Sequence, residues 1–196
     1  MLKIESTTCV SGLKTILFII ASCLGLFAAV PEGWQMAGSK PADYDSAVDP
    51  QVVYDGRPSA YLRYALSSEP KNGDFGTLMQ SFDAKAYIGQ RVRFSGNVRS
   101  DAVQSWAGLW MRVDKERKMV AFDNMQNRAI KGTTGWRLYE VVLDVPEGST
   151  GIFLGILLDG KGAVWLNNAK FEIVTNSVPI TGMAIGDGPV NLSFDK

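Results

Sequence analysis

Two tryptophans stand four positions apart in the run from Trp106 to Asp114, with Gly108 between them and Arg112 and Asp114 following. On an extended strand successive side chains alternate between faces, so Trp106 and Trp110 point the same way, about 13 Å apart, with a gap over Gly108. A flat aromatic platform flanked by a guanidinium and a carboxylate suits a sugar, whose ring stacks on the aromatics while its hydroxyls find donors and acceptors. The alternative use of such rings is burial inside the protein. Arg91, Arg93, Asn97 and Arg99 alternate in the same manner and would add donors if they share that sheet face. The polar stretch from Ala121 to Arg128 supplies Asp123, Asn124 and Gln126 as a rim; the competing reading is that Asp and Asn there make turns by bonding their own backbone.

Other chemistry is poorly provided for. The chain has no histidine, which removes Ser-His-Asp and Cys-His relays, an imidazole base and histidine metal sites. Glu140 and Asp144 alternate on one strand face as a glycosidase acid pair would, but exposed acids at strand spacing ordinarily form a solvated face. No phosphate loop, dinucleotide fingerprint or nucleophile elbow is present. The reading is therefore of a protein that binds and does not catalyse. No cofactor is expected. The one cation the residues suggest is a structural Ca²⁺ on Asp43, Asp45, Asp49, Asp159 and Asn167, without EF-hand spacing. Twenty basic residues balance twenty acidic ones, so no electrostatic footprint for nucleic acid is expected.

The elements that must position these residues are strands. Gln90 to Ser100 and Trp106 to Asp114 each carry one aliphatic face, and further alternating runs cover Ala60 to Leu66, Phe75 to Phe82, Trp136 to Val145, Ile152 to Leu158 and Ala163 to Val174. Turn signals such as Asp55-Gly56, Asn72-Gly73 and Pro146-Glu147-Gly148 separate them. Asp83 to Tyr87 suits a single helical turn. Short, evenly spaced strands of this kind predict an all-β antiparallel sandwich over residues 31–176, each sheet burying one face against the other.

The ends differ. Lys3 and Lys14 precede an apolar run from Thr15 to Val30, which predicts a signal peptide or a membrane anchor over residues 1–30 and hence export to the periplasm or the exterior. Both cysteines, Cys9 and Cys23, lie in that segment, and Ile20-Ala21-Ser22-Cys23 is similar to a lipobox, which leaves cleavage, retention and lipidation at Cys23 open. The membrane is expected as a partner only through this segment. Residues 177–196 read as a tail or linker, with Val190 to Phe194 as an edge strand.

The order Gly33-Trp34, then Gly56 to Leu62, Gly76 to Gln80, Tyr87 to Gly96 and Ala163 to Glu172 resembles the galactose-binding-like jelly roll of many carbohydrate-binding modules. That resemblance implies a jelly-roll sandwich and carbohydrate as ligand. The run from Trp106 to Asp114, with Asp123-Asn124-Met125 and the segment from Gly132 to Pro146, also resembles a bacterial domain found alone in exported proteins and sometimes beside AraC-type regulators. It implies a sensor-type domain; no helix-turn-helix accompanies it. The binding residues expected are Trp106, Trp110, Arg112, Asp123, Asn124 and Gln126. The expected partner is carbohydrate, with another envelope protein meeting the same surface as the alternative.

Overall fold

A computed structural model describes residues 30–184, so the expected leader with its two cysteines, and the strand expected at Val190 to Phe194, lie outside the described residues. Ten strands form the domain: β1 Gln35–Gly38, β2 Tyr44–Tyr54, β3 Arg57–Tyr64, β4 Phe75–Asp83, β5 Arg91–Lys115, β6 Lys118–Asp123, β7 Ile130–Asp144, β8 Gly151–Asp159, β9 Ala163–Val174 and β10 Met183–Ala184. The helical content among the described residues is three single 3-10 turns, one of them at Lys85–Tyr87 where one turn was expected.

All pairings are antiparallel, and together they curl one continuous sheet into a sandwich. One half runs β1-β4-β8-β5-β6-β10 and the other β7-β5-β9-β3-β2. Strand β5 belongs to both. The two strands expected at Gln90 to Ser100 and Trp106 to Asp114 are one strand: residues Arg91 to Asp101 pair with β7 and β9, and Trp106 to Asp114 pair with β8. Between them the register with β7 slips repeatedly, and Ala102 takes a left-handed φ of 48°, which turns the chain from one half into the other.

This crossover fixes what faces what. The aliphatic sides of both parts of β5, Val92, Phe94 and Val98 in the first and Ala107, Leu109, Met111 and Val113 in the second, point into the core. They meet Leu78 of β4, Ile152, Ile156 and Leu158 of β8, Val141 and Leu143 of β7, and Val164 and Leu166 of β9. The period-2 pattern is thus satisfied on the inside of both halves. The polar sides of the two parts face outward on opposite sides of the sandwich, so Arg91, Arg93, Asn97 and Arg99 do not add donors to the tryptophan face.

Sequence periodicity did not mark β1, β2 or β6 as strands. Strand β2 carries Asp45, Asp49 and a bulge between Asp49 and Val53, which break its alternation; β6 is too short to show a period. Beyond the sandwich the chain to Ala184 is held down: Arg91 donates to the carbonyls of Asn176 and Val178, Thr181 N–H to Val142, and β10 pairs with β6.

Candidate functional site

The outer face of the first half carries a second apolar cluster, separate from the core. Met79, Trp110 and Leu157 are buried in it, with Ala37, Phe75, Trp106, Phe122 and Phe153 packed partly exposed around them. Register explains the grouping. Ala37 lies beside Thr77 and Thr77 beside Leu157, while Met79, Gly155 and Trp110 form the next row. These outward positions surround a cleft of about 300 Å³ lined by β1, β4, β8, β5 and β6, with Trp110, Met79, Leu157 and Thr77 as floor and Phe75, Phe122, Arg112 and Asn124 as rim.

Trp110 is only 9% exposed, so it is not the free-standing platform expected. Its ring reaches across β8 above Gly155 to β4, where the indole Nε1–H donates to Thr77 Oγ1 at 2.7 Å; that hydroxyl in turn donates to the Ile156 carbonyl at 2.8 Å. The wall of the neighbouring strand presses close here, since a Cβ on Gly155 would stand 2.4 Å from the Leu78 carbonyl oxygen. Trp106 is half-buried beside the cluster and does not line the cleft. The space over Gly108 is no gap: the backbone carbonyl of Asn124 and the side chain of Met125 lie 2.9 Å from where its Cβ would be.

Arg112 does reach the cleft. Its guanidinium lies 4.4 Å from the centre of the Phe153 ring, a cation-π contact, and its Nε stands 3.0 Å from Asp114 Oδ1. The two atoms are close enough for charge pairing but misaligned for a hydrogen bond, and both are buried. The rim therefore holds a polarised but incompletely satisfied pair.

The loop after β6 is organised by Asp123. Burial alone would raise its pKa, but hydrogen bonds from Arg128, at 2.6 and 3.0 Å, and from the Met125 N–H hold the carboxyl below its ordinary value. Arg128 also donates to the Glu140 carbonyl, fastening the loop to β7. Asp123 is thus spent on positioning, while Asn124, whose side chain accepts from the Gln126 N–H, borders the cleft. Gln126 is exposed and lines a neighbouring depression of about 480 Å³ together with Asn127 and Thr181.

Of the residues expected from sequence, the structure brings Trp110, Arg112 and Asn124 to one cleft. It sets Trp106 beside that cleft, Asp123 beneath the loop and Gln126 beyond it. Sequence reasoning missed Phe75, Thr77 and Met79 on β4, Leu157 on β8 and Phe122 on β6, although both faces of β4 and β8 could be read from their apolar character: a strand apolar on both sides must cover something on each.

The proposed cation ligands do not gather. Among the described residues no three carboxylates cluster. Asp45 binds Arg63 and Tyr61, Asp49 accepts from the Trp165 indole, and Asn167 donates to Arg57, Pro58 and Ser59. Glu140 and Asp144 are likewise ion-paired, with Arg93 and Arg91.

No family model matches the chain. It is 42% identical over 170 residues to the uncharacterized HTH-type transcriptional regulator YbfP of Bacillus subtilis (strain 168), a match that covers 84% of this chain and 57% of the regulator. Among solved structures it is similar to the enzymatically active domain of bacteriophage CBA120 tailspike protein 4 (TM-score 0.54, 15% identity, 76% of this chain and 20% of that one). It is also similar to the CBM22-1 xylan-binding domain of Paenibacillus barcinonensis Xyn10C (TM-score 0.51, 18% identity, 74% of this chain and 88% of that one). The CBM22-1-GH10 modules of Clostridium thermocellum Xyn10B, complexed with xylohexaose, match with TM-score 0.51 and 12% identity over 72% of this chain and 26% of that one. At these identities the structural likenesses establish the fold alone, an antiparallel β-sandwich.

Proposed function

We propose that the domain is a non-catalytic binding module whose cleft takes a neutral oligosaccharide. The observation that carries this reading is the cleft itself, an apolar floor of Trp110, Met79 and Leu157 bordered by Phe75, Phe122, Arg112 and Asn124. A pyranose ring has a C–H face that gains from contact with such a floor and a periphery of hydroxyls that needs donors and acceptors. Arg112 supplies N–H donors and Asn124 supplies both kinds. Resemblance in fold to a xylan-binding domain agrees with this chemistry. Tryptophan fluorescence titrated with xylohexaose tests it: saturable change in the wild type, weakened about tenfold or more in Arg112→Ala and Asn124→Ala, supports the reading. No change with xylohexaose or with other neutral oligosaccharides contradicts it, and retention of a partner protein by this face would then favour the envelope-interaction alternative.

A second reading is favoured by the regulator match: the sandwich serves as the sensing part of a transcription regulator, with the same cleft receiving the effector. The two readings differ in location. Export through residues 1–30, with cleavage, retention or lipidation at Cys23, places the domain outside the cytoplasm, whereas a regulator works inside. Fractionation of expressing cells, with the mass of the mature N-terminus, separates them.

A further inference from the structure

The outer face of the other half holds a second cleft, of about 390 Å³, that the reading above leaves unused. It lies on the opposite side of the sandwich because β5 crosses between halves. Its floor is Ser95 and Asn97 of β5, 6% and 8% exposed, neither of whose side chains hydrogen-bonds to another described residue. Among the described residues the buried side-chain atoms without a partner are Arg112 Nε and Asp114 Oδ1, so the Ser95 hydroxyl and the Asn97 amide instead open onto the recess, where they offer donors and acceptors to a ligand. Glu140 of β7 and Glu172 of β9 form the walls, and Arg93 joins them, at 3.4 Å to the first and 2.9 Å to the second.

The roof comes from the far edge of the sheet. The β2-β3 hairpin is pinned by Asn167, whose amide donates to Arg57, Pro58 and Ser59, and its tip carries Tyr54 to within 5.2 Å of the Trp136 ring on β7, centre to centre. Since β5 and β9 lie between those two edges, the contact arches over the outer face. A bulge in β9, with Asn168 in the left-handed region, bends the sheet beneath it. The result is a polar floor, paired charges and an aromatic lip in one recess.

We infer that this recess is a second binding site, for a neutral polyhydroxylated molecule the size of a single pyranose ring. Charge decides the class. Arg93 and Lys170 together balance Glu140 and Glu172, so the recess carries no net charge, and an anion is met by the two carboxylates as a cation is by the two basic groups. A hydroxyl-bearing ring satisfies the hydroxyl and amide without displacing that pairing, and its C–H face meets Tyr54. The volume falls in the range of about 300–1,000 Å³ usual for small-molecule sites.

The test is an NMR titration of the full chain with xylose and glucose, and separately with glucuronate and glucosamine. The Asn97 side-chain amide and Trp136 indole resonances are expected to shift saturably with the neutral sugars and much less with either charged one. Tyr54→Ala, at the solvent-facing hairpin tip, and Asn97→Ala should each weaken the effect about tenfold, equivalent to roughly one good hydrogen bond. The site is refuted if neither resonance moves with the neutral sugars, if the charged sugars shift them as strongly, or if both variants leave the shifts unaltered. Trp110 reports the first cleft in the same spectra, so shifts at Trp110 without shifts at Trp136 overturn this inference alone.

Discussion

The hydrogen bond from Trp110 Nε1 to Thr77 Oγ1 holds the floor of the first cleft flat, and its removal from either side has calculable consequences. Thr77 is 3% exposed and Trp110 9%, so solvent does not replace a lost partner. Thr77→Val keeps the shape and orphans a buried indole N–H, at a cost of about 1–3 kcal/mol. Trp110→Phe removes the donor and also leaves space where the fused ring lay, together costing about 2–3 kcal/mol. In the double variant no indole donor is left without its acceptor, so the combined loss should fall short of the sum by about 1–2 kcal/mol. Urea unfolding of the four proteins, followed by far-ultraviolet circular dichroism, measures this coupling. Additivity within about 0.5 kcal/mol would refute the claim that the bond organises the floor.

Gly155→Ala places a methyl group 2.4 Å from the Leu78 carbonyl, backbone that cannot swing aside, and should lower the melting midpoint by an amount equivalent to about 1–3 kcal/mol. Gly56→Ala at the hairpin tip meets nothing within 4 Å, so its smaller cost reflects only its left-handed φ of 71°. Asp123 has a folded pKa below its ordinary 3.8, so the stability it contributes is whole above that value and is lost as pH falls through the folded pKa. Melting curves in acid should therefore show a steeper decline for the wild type than for Asp123→Asn, which lacks that titration; equal slopes would count against the Arg128 pair. Phe153→Ala removes the ring beneath Arg112 and should weaken sugar binding in the first cleft through lost positioning, read as a higher Kd with the fold intact by circular dichroism.

The strand pattern was legible because burial on one side imposes a period of two on both parts of β5 and on β9, while β4 and β8, covered on both faces, show themselves as short apolar runs between turn signals. What the pattern lacked was the path of β5. Periodicity says which residues share a face of a strand, but not that a strand of this length bends into the opposite half, and that bend separates Arg93 and Asn97 from Trp110. The exposure of Trp110 was equally beyond reach, since it depends on the register that sets Gly155 between it and Met79 and lets the indole reach Thr77. Asp123 looked like a rim residue by composition; its partner Arg128 lies only five positions away, and the turn at Met125, with φ of 60°, brings the two together.

A neutral sugar in the first cleft should show itself in the ¹H–¹⁵N spectrum of the chain titrated with xylohexaose. Binding there should move the Trp110 indole and the Asn124 side-chain amide together along one saturation curve, with the Trp165 indole, bonded to Asp49 on the other half, unchanged. If Trp110 and Asn124 stay still while the protein is folded, with xylohexaose and with other neutral oligosaccharides alike, the cleft is not a sugar site.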